Sequence, residues 1–411
     1  MGGTPQVTGI TIEFDCQFSV FLKDSRLTSI LAAFAELFSQ LLADFIQKVL
    51  QGFGDYALTL KKKPFACERC GNAEAFTWKT RHGKPTKIHA FYRWVELQQL
   101  QVRCTRCGRK MSITRHLLGI EPRQRIPAAI YRKLGLLGSL TTYRVAEKIG
   151  RMFGWTVDKM TIWNAVQKTA AEIDFRLDGT ELPQGEADGT GIGITGIAKR
   201  GKELKVFVQY KRSGGVRVAG LTLGPYNGAW DALFKKSLEV FKQFRRPFLL
   251  TTDGDTSILD GVKAKVQILL QRCLWHIPYQ AKYVLWQDAV QHKSADWLHV
   301  VAELMEICAI RRLVECPQTI DRMLESKRAR FAAVIGYCCT KGYTHTVAYL
   351  EHARPDLFTA VEQRLHGNTT SRVERVMRTV NMRVNVSKWS DAGALNVTKV
   401  RLAYYYNGFD A

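Results

Sequence analysis

The stretch Pro247-Phe-Leu-Leu-Thr-Thr-Asp253-Gly-Asp255 decides how the chain reads. A short apolar run behind a proline is the pattern of a buried β-strand. Gly254 calls for a turn at once, which leaves Asp253 at the strand's tip. A carboxylate there faces a cleft from rigid backbone. An acidic turn capping the next helix would leave the same trace.

Upstream, Glu186-Ala-Asp188-Gly-Thr-Gly-Ile-Gly-Ile-Thr repeats the Asp-Gly step. Lys202-Glu-Leu-Lys-Val-Phe-Val-Gln-Tyr and Arg217-Val-Ala-Gly-Leu-Thr-Leu follow, and the three read as a meander of strands joined by glycine-bearing turns. From Trp230 to Phe244, apolar residues at 230, 233, 234, 238, 241 and 244 have helical spacing. The expected order is three strands, a helix, then the Asp253 strand. Two acids on separate strands of one sheet suit a pair of magnesium ions, because hard cations take oxygen ligands and two can clamp both oxygens of a phosphoryl displacement.

The chain has 411 residues and a formal charge of +23, from 60 Lys and Arg against 37 Asp and Glu. That surplus points to a polyanion partner. The apolar segment Ile30 to Leu50 is interrupted by Glu36, Ser39, Gln40, Asp44, Gln47 and Lys48, so it reads as an amphipathic helix and no membrane span. The opening Met-Gly-Gly-Thr-Pro is unlike a secretory n-region, and a cytoplasmic location is expected.

Four of the ten cysteines form Cys67-Glu-Arg-Cys70 and Cys104-Thr-Arg-Cys107, each followed by glycine. Two such knuckles present four thiolates to one zinc ion and predict a zinc ribbon with a small inserted hairpin. His82 and His89 are alternative ligands, although four thiolates complete the shell. Lys79, Arg81, Lys84 and Lys87 interleave here with Trp78, Phe91, Tyr92 and Trp94, a pattern suited to DNA backbone contact or to a plain solvated face. Arg103, Arg106 and Arg109 add to the same basic surface.

From Arg123 to Asp174 the pattern turns helical. Ile126-Pro starts one helix, and Thr141 caps a second that ends at Gly150. After a glycine-containing turn comes Val157 to Ala171, which reads as the recognition helix of a helix-turn-helix or as half of an ordinary helical hairpin. Lys159, Asn164 and Lys168 are the candidate DNA contacts, with Ile162, Trp163 and Val166 inside.

Beyond Asp253, Val262 to Leu270 looks partly helical, although Val266 to Leu270 could also enter the sheet as a final strand. Cys273-Leu-Trp-His276 follows. Its spacing permits a metal site with His345 and His352, or a positional role with His276 near the Asp253 cleft and Trp275 free to stack on an unpaired base. Residues 278 to 366 are helical throughout, with candidate helices Tyr279–Gln291, Ser294–Leu313, Pro317–Gly336 and Thr346–Arg354. Then Asn368 to Ser371 offers N-cap chemistry to a helix with Val373, Met377 and Val380 on its apolar stripe and Glu374 in its first turn. A pair with Arg378 or a favourable helix dipole would by itself account for Glu374.

At this point the chain resembles the DDE transposases of bacterial insertion sequences, in the Mutator-like group. The matching features are Ala187-Asp188-Gly189, Thr252-Asp253-Gly254, Cys273-Leu-Trp-His276 and Asn368-Thr-Thr-Ser-Arg-Val-Glu374, with Arg378 and Arg383 after it. The acids lie 65 and 121 residues apart, the second gap being long enough for a helical insertion. The resemblance covers roughly 182–411, and the region before it more loosely.

It implies an α/β fold whose mixed RNase H-like sheet is interrupted by a helical insertion and preceded by a zinc ribbon and a helix-turn-helix. The expected division is an N-terminal helical segment (1–60), the ribbon (61–120), the helix-turn-helix domain (121–180), the catalytic domain (181–277 and 366–411) and the insertion (278–365). The resemblance also implies that Asp188, Asp253 and Glu374 hold two magnesium ions, for which manganese can substitute, with His276 assisting. Asp255 stands as a partner to these ligands or as the ligand in place of Asp253. Trp275, Arg375 and Arg378 join the expected DNA contacts. The implied activity is cleavage at transposon ends and joining of the 3′-hydroxyls to target DNA, by a homodimer or larger assembly associated with a bacterial nucleoid. A catalytically silent DNA-binding regulator and an RNase H-like nuclease without strand transfer remain the alternatives.

Overall fold

The computed structural model describes residues 27–90, 93–120, 124–152, 156–197, 202–225, 228–254, 258, 267–310, 317–365 and 369–409. They fall into two compact units, divided between Lys168 and Thr169.

In the first unit, the amphipathic segment forms a long helix α1 (Leu27–Thr59). Strands β1 (Phe76–Thr80), β2 (Pro85–Ala90), β3 (Arg93–Gln98), β4 (Gln101–Cys104) and β5 (Lys110–Ser112) follow. β4 is central in an antiparallel sheet with β1 and β5, while β2 and β3 make the hairpin expected between the cysteine pairs. Ile46, Leu50 and Ala57 of α1 share one core with Phe65, Phe76, Val95, Leu97 and Val102. After α2 (Ile113–Leu117) come α3 (Ala128–Leu140), α4 (Tyr143–Met152) and α5 (Lys159–Glu172). Ile130, Leu134, Ala146, Ile162 and Ala165 form their common core. The cap of α4 is Thr142, whose hydroxyl accepts the Val145 N–H, and not the neighbouring Thr141. Asp158 caps α5 through the Thr161 N–H at 2.6 Å.

The second unit is built on a mixed five-stranded sheet. β6 (Gln184–Ile192), β7 (Lys202–Tyr210) and β8 (Val216–Gly224) form the expected antiparallel meander. The single helix expected over 230–244 is two short ones, α6 (Trp230–Lys235) and α7 (Leu238–Phe241). Ser237 lies at the break, where its buried hydroxyl accepts the Leu177 N–H at 3.1 Å. β9 (Phe248–Thr252) returns parallel to β6, and β10 (Ile268–Arg272) is parallel to β9, giving the order β10-β9-β6-β7-β8. The strand reading of the segment before Cys273 therefore holds over 268–272 and the helical one does not; residues 259–266 lie outside the described residues. Phe207, Phe234, Phe241 and Phe248 pack together where α6 and α7 cover one face of the sheet.

A helical block follows: α8 (His276–Gln287), α9 (Ala295–Cys308), α10 (Pro317–Thr340), α11 (Thr344–Ala353), a 3₁₀ turn (Arg354–Asp356) and α12 (Thr359–Glu362). It has its own core, which includes Ile277, Leu285, Leu304, Phe331 and Leu350. The chain then rejoins the sheet through α13 (Ser371–Val384) and α14 (Asp391–Tyr406). Asn381 of α13 accepts a bond from Thr190 of β6, and Asn407 pairs with both backbone groups of Val218 in β8. Among the described residues, no helix is long and apolar enough to cross a membrane.

Candidate active site and metal centre

The strand register assembles the carboxylates. β6 and β9 run parallel with Glu186 opposite Thr251. Side chains two residues apart share a face, so the same register extended two residues past its last pair aligns Asp188, midway along β6, with Asp253, the first residue after β9, and the Asp253 charge acts on Asp188. Asp188 is raised to about 7, first by burial and then by the Asp253 charge, while the Gly189 N–H donates to its carboxylate at 2.8 Å and opposes the shift. Gly254 has φ +102°, and a side chain there would strike the buried Arg272 guanidinium, which donates to the Gly254 carbonyl at 3.4 Å. The expected turn after Asp253 thus needs its glycine for both conformation and space. Asp255 lies outside the described residues, as does the 366–368 part of the Glu374 motif.

Glu374 reaches the same region from the first turn of α13. Its carboxylate accepts from Thr370 Oγ1 at 3.1 Å and lies 3.8 Å from His276 Nε2. The thiol of Cys273, through its hydrogen bond to His276, raises the imidazole to about 9; burial opposes this, and the Asp253 and Glu374 charges add to it. Burial raises the Cys273 thiol, but its bonds to His276 and Thr370 lower it further. Thr370, fully buried, links all three: its Oγ1 is 3.3 Å from Cys273 Sγ and 3.4 Å from His276 Nδ1. Its role here is to tie the Cys-x-x-His pair to Glu374. It makes no N-cap bond of the kind expected from Asn368 to Ser371.

The cap of α13 comes instead from Glu186. This carboxylate is fully buried, accepts the N–H groups of Arg372 and Val373 at 3.0 and 2.7 Å, and takes the Tyr210 hydroxyl on its other oxygen. Burial raises its pKa, partly offset by these donors. Glu186 therefore fastens the helix of Glu374 to the strand of Asp188. On β7, buried Glu203 adds a further negative charge near Asp188 and pairs with the buried Lys205, whose ammonium lies 4.2 Å from the Trp230 ring centre. Reading the strand by alternation would have found Glu186, which shares a face with Asp188. The sequence reading offered Thr370 only as part of a helix cap and gave Glu203 no role beyond its strand.

Among the described residues, only Cys67, Cys70, Cys104 and Cys107 gather closely enough to share one ion, with their sulfurs all within 4.8 Å. Asp188, Asp253 and Glu374 do not form a second such set, and neither do Cys273 and His276 with His345 or His352. The two cysteine knuckles are alike: Gly71 and Gly108, at φ +68° and +72°, donate their N–H groups to the first cysteine's carbonyl, both at 2.9 Å. Asn72 and backbone N–H groups lower Cys104 to about 6. At Cys107 the Arg109 N–H acts in the same direction, but burial and the neighbouring sulfurs push the thiol up to about 11. Sulfurs that compete for protons in this way are a donor set for a soft or borderline dication, and the cluster can hold a structural metal such as zinc.

The expected DNA contacts are all exposed: Lys79, Arg81, Lys84, Arg103, Arg106 and Arg109 around the cysteines, Lys159, Asn164 and Lys168 on α5, and Trp275, Arg375 and Arg378 in the second unit. Lys79 is lowered by Lys110 and then Arg103, which marks a crowded cationic face on β1, β4 and β5. Arg81 also pairs with Asp55 at 2.8 Å, and Arg109 lies 3.9 Å from Glu68. Ile162 and Val166 are buried as expected, with Trp163 partly so. A groove of about 380 Å³ between α4 and α5 is lined by Arg144, Lys148, Arg151 and Lys159 together with Glu147 and Asp158. No protein-family model matches the chain, and no curated protein does.

Proposed function

We propose that the chain is a DDE-type DNA transposase that cuts transposon ends and joins the 3′-hydroxyls to target DNA. One observation supports this reading: the Asp253 charge acts on both Asp188 and His276, and Glu374, on a helix capped by Glu186 of β6, lies 3.8 Å from His276 Nε2. In this reading the sheet is an RNase H-like domain, the helical block its insertion, the cysteine region a zinc ribbon, and α4 with α5 a helix-turn-helix.

The donor chemistry fits magnesium. Asp188 and Asp253 repel each other, and a hard dication with oxygen ligands relieves that repulsion. Asp188, Asp253 and Glu374 would hold two such ions, or manganese in their place. Bound there, the metals lower the pKa of the attacking hydroxyl and stabilise charge on the phosphorus oxygens. The remaining work belongs to the chain. Cationic His276 fixes Glu374 and can donate to a phosphate oxygen. Arg375 and Arg378, exposed on the helix of Glu374, grip the DNA backbone. The protein acts as a homodimer or larger assembly, so that two ends are held together.

The test is to incubate the purified protein, with magnesium, on labelled duplexes spanning the ends of the DNA segment that encodes it. Nicks and strand-transfer products are expected, both lost in Asp188→Asn, Asp253→Asn and Glu374→Gln while duplex binding persists. Cleavage without transfer products would make the chain a nuclease. Binding without cleavage would make it a regulator.

A further inference from the structure

α8 buries Ile277, Pro278, Ala281 and Leu285 in the helical block. At about 100° per residue, its opposite face aligns Trp275, Tyr279, Lys282, Tyr283 and Trp286. The four aromatic residues are 67, 46, 57 and 76% exposed. Single apolar residues on a surface need no explanation, but a contiguous aromatic stripe does. The stripe runs about 16 Å at 1.5 Å per residue. It begins one residue before His276, whose Nε2 is 3.8 Å from Glu374. A cavity of about 360 Å³ opens beside its start, between Trp275, Pro278 and Tyr279 on one side and Met305 of α9 and Ile310 just beyond that helix on the other.

Charge selects the occupant. Among the described residues no carboxylate lines the cavity, and none occurs in α8 from His276 to Gln287. Lys282 sits in the middle of the stripe, its ammonium 5.7 Å from the Tyr279 ring centre and 5.9 Å from that of Trp297. Flat π faces with an ammonium between them match bases linked by phosphates. A second copy of a chain carrying +23 is a poor match for the same face.

We propose that this face of α8 is a stacking track for the unpaired bases of single-stranded DNA, leading away from the carboxylate cluster. The proposal rests on the DNA-processing reading above and names the form of DNA that the site handles.

The test measures binding of a labelled single-stranded oligo(dT) and of a duplex of equal length in EDTA, by fluorescence anisotropy. The wild type is compared with Tyr283→Ala, Trp286→Ala and the double variant. Both side chains are exposed, so the variants are expected to fold, and far-UV circular dichroism checks it. Each truncation should weaken oligo(dT) binding about 5-fold or more, with duplex affinity held within about 2-fold. Tryptophan emission should fall when oligo(dT) binds. Equal losses on both DNAs, no loss on either, or no single-strand binding by the wild type would each overturn the track. A changed sedimentation coefficient with unchanged oligo(dT) affinity would overturn it too, in favour of a protein interface. Because EDTA excludes cleavage, a failed cleavage assay leaves this result standing. Intact magnesium-dependent cleavage without single-strand preference would sink the track alone.

Discussion

At Thr370, one hydroxyl meets three groups of the candidate site. Its single proton cannot serve Cys273 Sγ and Glu374 at once, so the oxygen accepts from a cationic His276 while donating to one of them. Thr370→Val keeps the shape and removes the hydroxyl. Unfolding free energy should fall by about 1–2 kcal/mol, since buried acceptors lose their donor, and cleavage should slow by about tenfold. Thr370→Ser should restore both, and a valine variant with wild-type cleavage would reduce Thr370 to packing. His89 gives a pH test in the other unit. It is buried, neither ring nitrogen has a hydrogen-bond partner among the described residues, and burial lowers its pKa to about 4 from 6.5. The unfolded chain then binds the extra proton first, so its contribution is complete above pH 6.5 and is lost as pH falls towards 4. The loss is at most about 3 kcal/mol. Subtracting the denaturation curve of His89→Phe isolates this slope, and an identical pH profile in the variant would refute it. The aspartates were legible because an Asp-Gly step after an apolar run is local. The bonds that Thr370 makes to Cys273 and Glu186 makes to Val373 were not, because those partners lie 97 and 187 residues away.

Among the elements, α13 carries the most weight, because it brings Glu374 to the sheet. Helix N-termini leave N–H groups without partners, and the usual remedy is a capping side chain close in sequence. Here a buried carboxylate on a strand replaces it. Glu186→Ala should therefore speed hydrogen exchange at the Arg372 and Val373 amides by roughly 10- to 100-fold and destabilise the fold by about 1–3 kcal/mol. Unchanged exchange at those two amides would mean that the cap contributes nothing. The break between α6 and α7, where apolar spacing called for one helix, falls at Ser237, whose hydroxyl accepts the distant Leu177 N–H. β10 is strand because β9 offers it a full parallel ladder, from Phe248 to Thr252, and periodicity alone could not choose.

On the scale of the whole chain, two measurements test the partners. Metal analysis should find about one zinc per chain, lost in Cys104→Ser. That variant should be less stable by roughly 3 kcal/mol or more, since loss of a structural metal is among the mechanisms behind the largest single-substitution costs. The first unit should nevertheless retain helix, because α1 and the strands share an apolar core beyond the sulfurs. Full metal retention by the serine variant would end the four-cysteine assignment. DNA affinity should depend steeply on salt, since each neutralised phosphate releases counterions; six or more contacts imply a loss of about a thousandfold between about 50 and 200 mM. Alanine at Lys79 and Arg103 should flatten that dependence. An affinity indifferent to salt would remove the exposed basic residues from the interface.

What the sequence by itself determined is whatever depends on neighbours along the chain. Both Cys-x-x-Cys turns, the three-strand meander, the Asp253 tip, the helical block and the charge surplus are all local patterns or counts. Only the tertiary structure decided which distant side chains serve one another. A strand's register, the capping of α13 by Glu186 and the junction at Thr370 join residues far apart in sequence. Such bonds form because burying a polar group without a partner is costly, and the chain meets that requirement with whatever donor or acceptor the fold delivers.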